Sequence, residues 1–248
     1  MTECPTALIR QTKMLGARPR RISLFAFLLA SRVCAAAPVS YQVQASESVF
    51  AVITHPAGPA ATFAHDHLVF PDKFEAELSL ESELVESAQF KLRFSANALQ
   101  VALPEVQQRW HPALHSLGAM PEPFSKISAS NRALVRKHML GDKQLDADKF
   151  SDISAELKQI TPKKTVKGEK SFEYEAVVAL TVHGKTVEHP FATNVTVKDG
   201  RLEIEAVGSY QFTDFGLKPY SAYFGTVRNA DPFYVYVNFT ATATRPNA

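Results

Sequence analysis

Residues 172–182 read "FEYEAVVALTV", and in them Phe172, Tyr174, Ala176, Val178, Leu180 and Val182 recur at every second position. A period of two sends alternate side chains to opposite faces of a pleated strand, so this run predicts one long strand with a continuous apolar face. His183-Gly184-Lys185 after it is a tight turn into a second strand. Lys198-Asp199-Gly200 is a further hairpin signal, because Asp and Gly tolerate a positive φ. Leu202, Ile204, Ala206, Gly208 and Tyr210 repeat the alternation, as do Phe233, Val235, Val237 and Phe239, with Tyr234 and Tyr236 in the opposite phase. Strands joined by such turns form an antiparallel meander.

The same period extends toward the N-terminus, where Phe90, Leu92 and Phe94 alternate and further strands are expected at 41–46, 48–55, 62–70, 73–81 and 153–160. Together these give roughly eight to ten strands in one all-β domain, enough to close a barrel and remove the exposed edges. Two segments interrupt the pattern. Leu134, Val135, His138 and Met139 have helical spacing, with Ser130 or Asn131 as N-cap and Gly141 just past the end, so a short helix is expected over 131–139. Residues 103–124 contain Pro104, Pro112, Pro121, Pro123 and the only tryptophan, Trp110, and read as a long loop able to cover a barrel mouth.

Residues 22–30, "ISLFAFLLA", follow Arg18, Arg20 and Arg21 and precede Ala35-Ala36-Ala37, the pattern of a secretory signal. The run is well short of the roughly 20 residues that span a bilayer as a helix. A start at Met14 would give a more typical signal, "RPRRISLF" loosely resembles a twin-arginine signal, and Ser31-Arg32-Val33 before Cys34 lack a lipid-anchor pattern. The expected division is a signal at 1–37 and one domain at 38–248. Taking Arg10, Lys13, Arg18, Arg20, Arg21, Arg32 and Glu3 from totals of 27 basic and 25 acidic residues leaves 21 and 24, so a net charge of +2 becomes −3. The basicity belongs to the export segment, and no nucleic-acid partner is expected. Both cysteines, Cys4 and Cys34, leave with it. A domain without disulfides depends on its buried core.

"HMLGDKQLDADKFSDISAEL", "ALTVHGKTVEHPF" and "FTDFGLKPYSAYFGTVRNADPFYVYVNF", with the long strands and the export signal, together resemble the YceI-like family of bacterial periplasmic proteins over nearly all of the mature chain. Leu180, Val182 and Gly184 fit the family's hairpin, and Leu145, Phe150 and Ile153 its apolar positions. The resemblance implies a lipocalin-like barrel whose interior holds a polyisoprenoid. It therefore implies a non-enzymatic carrier of an isoprenoid lipid or quinone, with no other cofactor. Its location would be the periplasm, and it would exchange its ligand with the membrane or a membrane redox protein. Ser151 stands where many relatives carry Pro, and Ala64 where a Gly commonly precedes the histidine.

The site residues follow from this frame. In a strand, His65 and His67 share one face with Phe63 and Val69, while Asp66 takes the other. Two imidazoles on one face suit a haem or metal module, but a zinc site takes three or four protein ligands and no third adjoins them. Structural hydrogen bonding and contact to a ligand headgroup are the other readings. An enzyme working inside the barrel would need a nucleophile or polarising group, and no signature supplies one. Tyr174, Ala176, Val178, Tyr210, Phe215 and Phe233 are expected to line the cavity, with Lys218 and Tyr220 at its rim near a headgroup.

Overall fold

The computed structural model describes residues 37–81 and 83–244, which lie in one compact unit, Ala36–Ala248. The export segment, its cleavage site, the alternative start and both cysteines lie outside the described residues. Among the described residues twelve strands form: β1 (Val39–Val43), β2 (Val49–Ala57), β3 (His67–Pro71), β4 (Glu75–Glu81), β5 (Leu84–Ser95), β6 (Leu99–Val101), β7 (Asp152–Lys167), β8 (Lys170–Val182), β9 (Lys185–Lys198), β10 (Arg201–Gln211), β11 (Ser221–Ala222) and β12 (Val227–Ala243). Two helices, α1 (Pro104–Ser116) and α2 (Ala129–Leu140), separate β6 from β7.

Eight strands hydrogen-bond in the antiparallel order β1-β4-β5-β7-β8-β9-β10-β12, and β12 pairs with β1 to close the ring. Each backbone edge in it is thus satisfied by a neighbour. The tight turns set the register. His183 (φ 51°) and Gly184 (φ 70°) connect Val182 to its partner Lys185, and Asp199 (φ 51°) and Gly200 (φ 75°) connect Lys198 to Arg201. Two successive positive φ values match the right-handed twist of the flanking strands. Toward one end β12 exchanges β1 for β2, and β2, β3 and β6 continue the sheet from there.

This end is the barrel mouth. It gathers the end of β2, the start of β3, the β8–β9 turn, residues 212–226 and α2. α2 starts slightly earlier than its spacing predicts, with Ser128 as N-cap accepting from the Asn131 amide at 3.2 Å, and Gly141 ends it.

The expected loop at 103–124 is instead largely helix. Pro104 occupies the first helical position, where no amide hydrogen is needed. Pro112 removes the donor to the Gln108 carbonyl, but both residues face solvent, so water can take that role. What decides the helix is its inner face: Val106, Trp110, Leu114 and Leu117 pack on the outside of the barrel against Val49, Ala51, Ile53, Leu68 and Tyr236. α1 therefore covers a sheet face, and α2 stands at the mouth.

Candidate functional site

The interior phase of the strands lines two adjacent chambers. The one at the mouth has a volume of about 270 Å³, and the one deeper in the barrel about 70 Å³; Phe50 and Leu180 border both. The first is near the lower end of the range for small-molecule pockets. Its walls are apolar, with Val52, Val69, Phe94, Phe215 and Phe233 among them. Its polar lining is Thr54, His67, His138, Gln144, Tyr220 and Asn229. The deep chamber is lined by Ala176, Val178, Phe191, Tyr210, Val235 and Phe239, among others.

Of the alternating run in β8, Ala176, Val178 and Leu180 face the deep chamber, and Tyr174 is half-buried beside the interior core. Phe172 departs from them. It is fully buried in the outer cluster under α1, past a register shift where Tyr174 opposes Pro162 and Phe172 opposes Thr165. The β7–β8 turn there reaches the end of α1, where the Glu169 amide donates to the Ser116 carbonyl at 2.7 Å.

Tyr210 lines the deep chamber. Its hydroxyl donates to the Val178 carbonyl at 2.8 Å, and burial pushes the phenol pKa up, so the group remains a neutral donor. With its one polar atom partnered, the ring acts as apolar wall. Phe215 and Phe233 lie 5.6 and 6.0 Å from it between centroids, and Phe212 sits 4.7 Å from Phe233. These mostly tilted rings pack into an aromatic wall.

Gly208, across from Phe191, has a separate purpose. A Cβ at this position would lie 2.5 Å from the Phe191 ring, so glycine is what lets that ring enter the deep chamber.

The histidine pair is not brought together. A 3-10 turn at Ala61–Phe63 interrupts the chain and β3 begins only at His67, so strand alternation does not reach His65. His65 is exposed, as is Phe63, and Asp66 instead accepts from His55 Nδ1 at 2.5 Å. His67 alone points inward, beside its register partner Thr54. Burial lowers its pKa, with the nearby His65 adding to the effect, and its Nδ1 is buried without a hydrogen-bond partner. The ring is therefore neutral at pH 7 and bears unused hydrogen-bonding capacity. Among the described residues no group of three or more His, Cys, Asp and Glu could hold a metal ion.

At the rim, Tyr220 lines the mouth chamber with its ring 5.5 Å from that of His138. Lys218 does not line it: the side chain is exposed, and its backbone carbonyl accepts from Gln144 Nε2 at 3.1 Å. Phe50, Phe94 and the α2 residues were not singled out from sequence as lining. Phe94 lies in a legible alternation, whereas the approach of α2 to the opening has no local signal.

The model of the YceI-like domain matches residues 41–241, which is nearly the whole barrel. The chain belongs to the YceI-like family. That family has a lipocalin-like fold known for binding polyisoprenoids, and it is a family of binding proteins. Among solved structures, this YceI-like chain is similar to BcnA of Burkholderia cenocepacia, with a TM-score of 0.55 and 12% identity over 81% of this chain and 100% of that one. A YceI protein of Campylobacter jejuni gives a TM-score of 0.45 at 11% identity, over 72% of this chain and 85% of that one. No curated protein matches the sequence. At such identities the likeness to BcnA concerns the fold alone.

Proposed function

We propose that this protein is a periplasmic carrier that holds an isoprenoid lipid or quinone by its tail inside the barrel, with no catalytic role. The observation that carries this reading is the pair of adjacent chambers, which share Phe50 and Leu180 as walls and are apolar in depth and polar only near the mouth. A linear hydrocarbon suits that shape, since each CH₂ removed from water contributes about 0.8 kcal/mol without directional contacts. Tyr174, Ala176, Val178, Tyr210, Phe215 and Phe233 are the proposed tail contacts. His67 and Tyr220 are the proposed contacts of the polar end, and the exposed positions of His65 and Lys218 leave them outside it.

Native mass spectrometry of protein purified without detergent tests the reading. The expected result is a complex heavier than the chain by the mass of one prenyl lipid, which organic extraction removes. A stoichiometric metal or haem in its place, or a barrel that stays empty when offered prenyl lipids, would rule the carrier out.

A further inference from the structure

Among the described residues, the two most exposed large apolar side chains are both phenylalanines, Phe63 at 85% and Phe224 at 111% of full exposure. They lie far apart in sequence, on loops that the fold joins. The loop after β2 and the loop before β12 are joined by the Ala60 amide, which donates to the Thr226 carbonyl at 3.0 Å. Gly58 fits closely against the same carbonyl, where a Cβ would stand 2.7 Å away. Phe224 has φ 56°, a left-handed conformation that a bulky residue rarely adopts, so the chain there holds an aromatic ring outward at a backbone cost. Both loops belong to the mouth end, where Leu134 (53% exposed) and Tyr220 (36%) also line the chamber opening.

Acids bound the stretches at this end, Asp66, Glu122, Asp142, Asp214 and Asp231, and of these Asp66, Asp214 and Asp231 are engaged by His55, the Gln211 amide and Thr213; between them the charge is basic. Residues 56–65 and 215–230 contain no Asp or Glu, and their formal charges are Lys218 and Arg228, both exposed. Residues 123–141, which include all of α2, contain no acid either, and carry Lys126, Arg132, Arg136 and Lys137. Arg136 is held at the mouth by the Leu99 carbonyl at 2.7 Å and the Asn97 carbonyl at 2.5 Å. Protruding aromatics among cations are poorly matched to a shaped protein surface, which would leave the separate tips unfilled. They match a fluid apolar phase under an anionic surface, since aromatic rings enter the bilayer boundary and each nearby Lys or Arg adds attraction to acidic headgroups.

We propose that the mouth end of the barrel is a docking face for an anionic lipid bilayer, with Phe63 and Phe224 inserting as tips and α2, Lys218 and Arg228 meeting the lipid phosphates. The chamber then opens against the membrane. The inference goes beyond the carrier reading and does not require it, because docking can be measured whether or not the barrel holds a lipid.

Flotation of the processed protein, lacking the apolar run at 22–30, with phosphatidylcholine vesicles that contain or lack phosphatidylglycerol is the test. Binding is expected only with phosphatidylglycerol and is expected to weaken as salt rises. Phe63→Ser and Phe224→Asn should each reduce the partition coefficient by about tenfold, as partial burial of one aromatic side chain implies. Asn tolerates the left-handed conformation, so the second variant should fold at least as well as its parent, and a melting curve checks both. Lys218→Glu combined with Arg228→Glu should abolish the preference for acidic vesicles. No binding by the parent protein, or equal binding by the folded Phe63→Ser, Phe224→Asn double variant, would overturn the proposal.

Discussion

β2 and β12 each have two buried faces, and the two are packed to opposite ends. On the outer face Val49, Ala51 and Ile53 of β2 and Tyr236 of β12 meet Leu114 of α1 and Leu117 just past its end in a filled cluster. On the inner face Phe50 and Val52 of β2 and Phe233 and Val235 of β12 line chambers. The same two-residue alternation supplies both. What differs is the opposing element: a helix closes onto one face, whereas the curvature of a closed ring keeps the other walls apart. The outer core can thus contribute stability that the inner one forgoes in leaving room for a ligand.

Polar groups divide less cleanly. In the outer cluster Tyr236 donates from its hydroxyl to Glu205 at 2.9 Å, and Lys170 pairs with the same carboxylate at 2.5 Å. At the mouth chamber, His67 Nδ1 is buried with nothing to bond. Gln107 Nε2 and His111 Nε2 of α1 are also buried without a partner, so an unsatisfied atom does not by itself separate the two faces; what sets His67 apart is that it borders empty volume.

The largest effect should come from the filled side. Leu114→Ala removes a fully buried side chain from the outer cluster and is expected to cost about 2–5 kcal/mol in denaturant unfolding, while the folded variant keeps its bound lipid. A loss near zero would mean that α1 is loosely seated and that the comparison between the two faces fails. Ala176→Phe probes the hollow side, where a ring should occupy the deep chamber. The variant should lose long prenyl tails in native mass spectrometry and still accept short ones, with an unfolding cost below the roughly 1–3 kcal/mol of an overpacked core. General destabilisation with unchanged ligand would show the deep chamber to be ordinary core.

The smallest effect concerns pH. Burial lowers the pKa of both His67 and His189. As pH falls below about 6.5 the unfolded chain takes up these protons first, so stability is full above that value and declines toward the depressed folded pKa values. His67→Gln should flatten this decline in denaturant midpoints measured between about pH 7 and pH 5.5. An unchanged slope would remove His67 from the buried inner face.

The fold was legible because period-two patterning is local. The face of each long strand follows from its own residues, and turns such as His183-Gly184 need only two residues to fix a hairpin register. On the site, Ala176, Val178, Tyr210, Phe215, Tyr220 and Phe233 fall on the chamber walls where the alternation and the aromatic density pointed. The failures share a cause. Pro104 and Pro112 suggested a loop, and only the apolar outer face of the barrel, built from strands far away in sequence, makes the helix worthwhile. Alternation carried back from β3 to His65 fails because a 3-10 turn at Ala61–Phe63 ends before the strand begins at His67.

By itself the sequence determined the all-β class, the strand phases and the hairpins, since a backbone's preference and a side chain's polarity act within a few residues. Only the tertiary structure decided which apolar face is filled and which encloses space, that His67 points inward without His65, and that Phe63 and Phe224 share the mouth. Burial and empty volume depend on what stands opposite, and that is set by chain closure over distances no local pattern encodes.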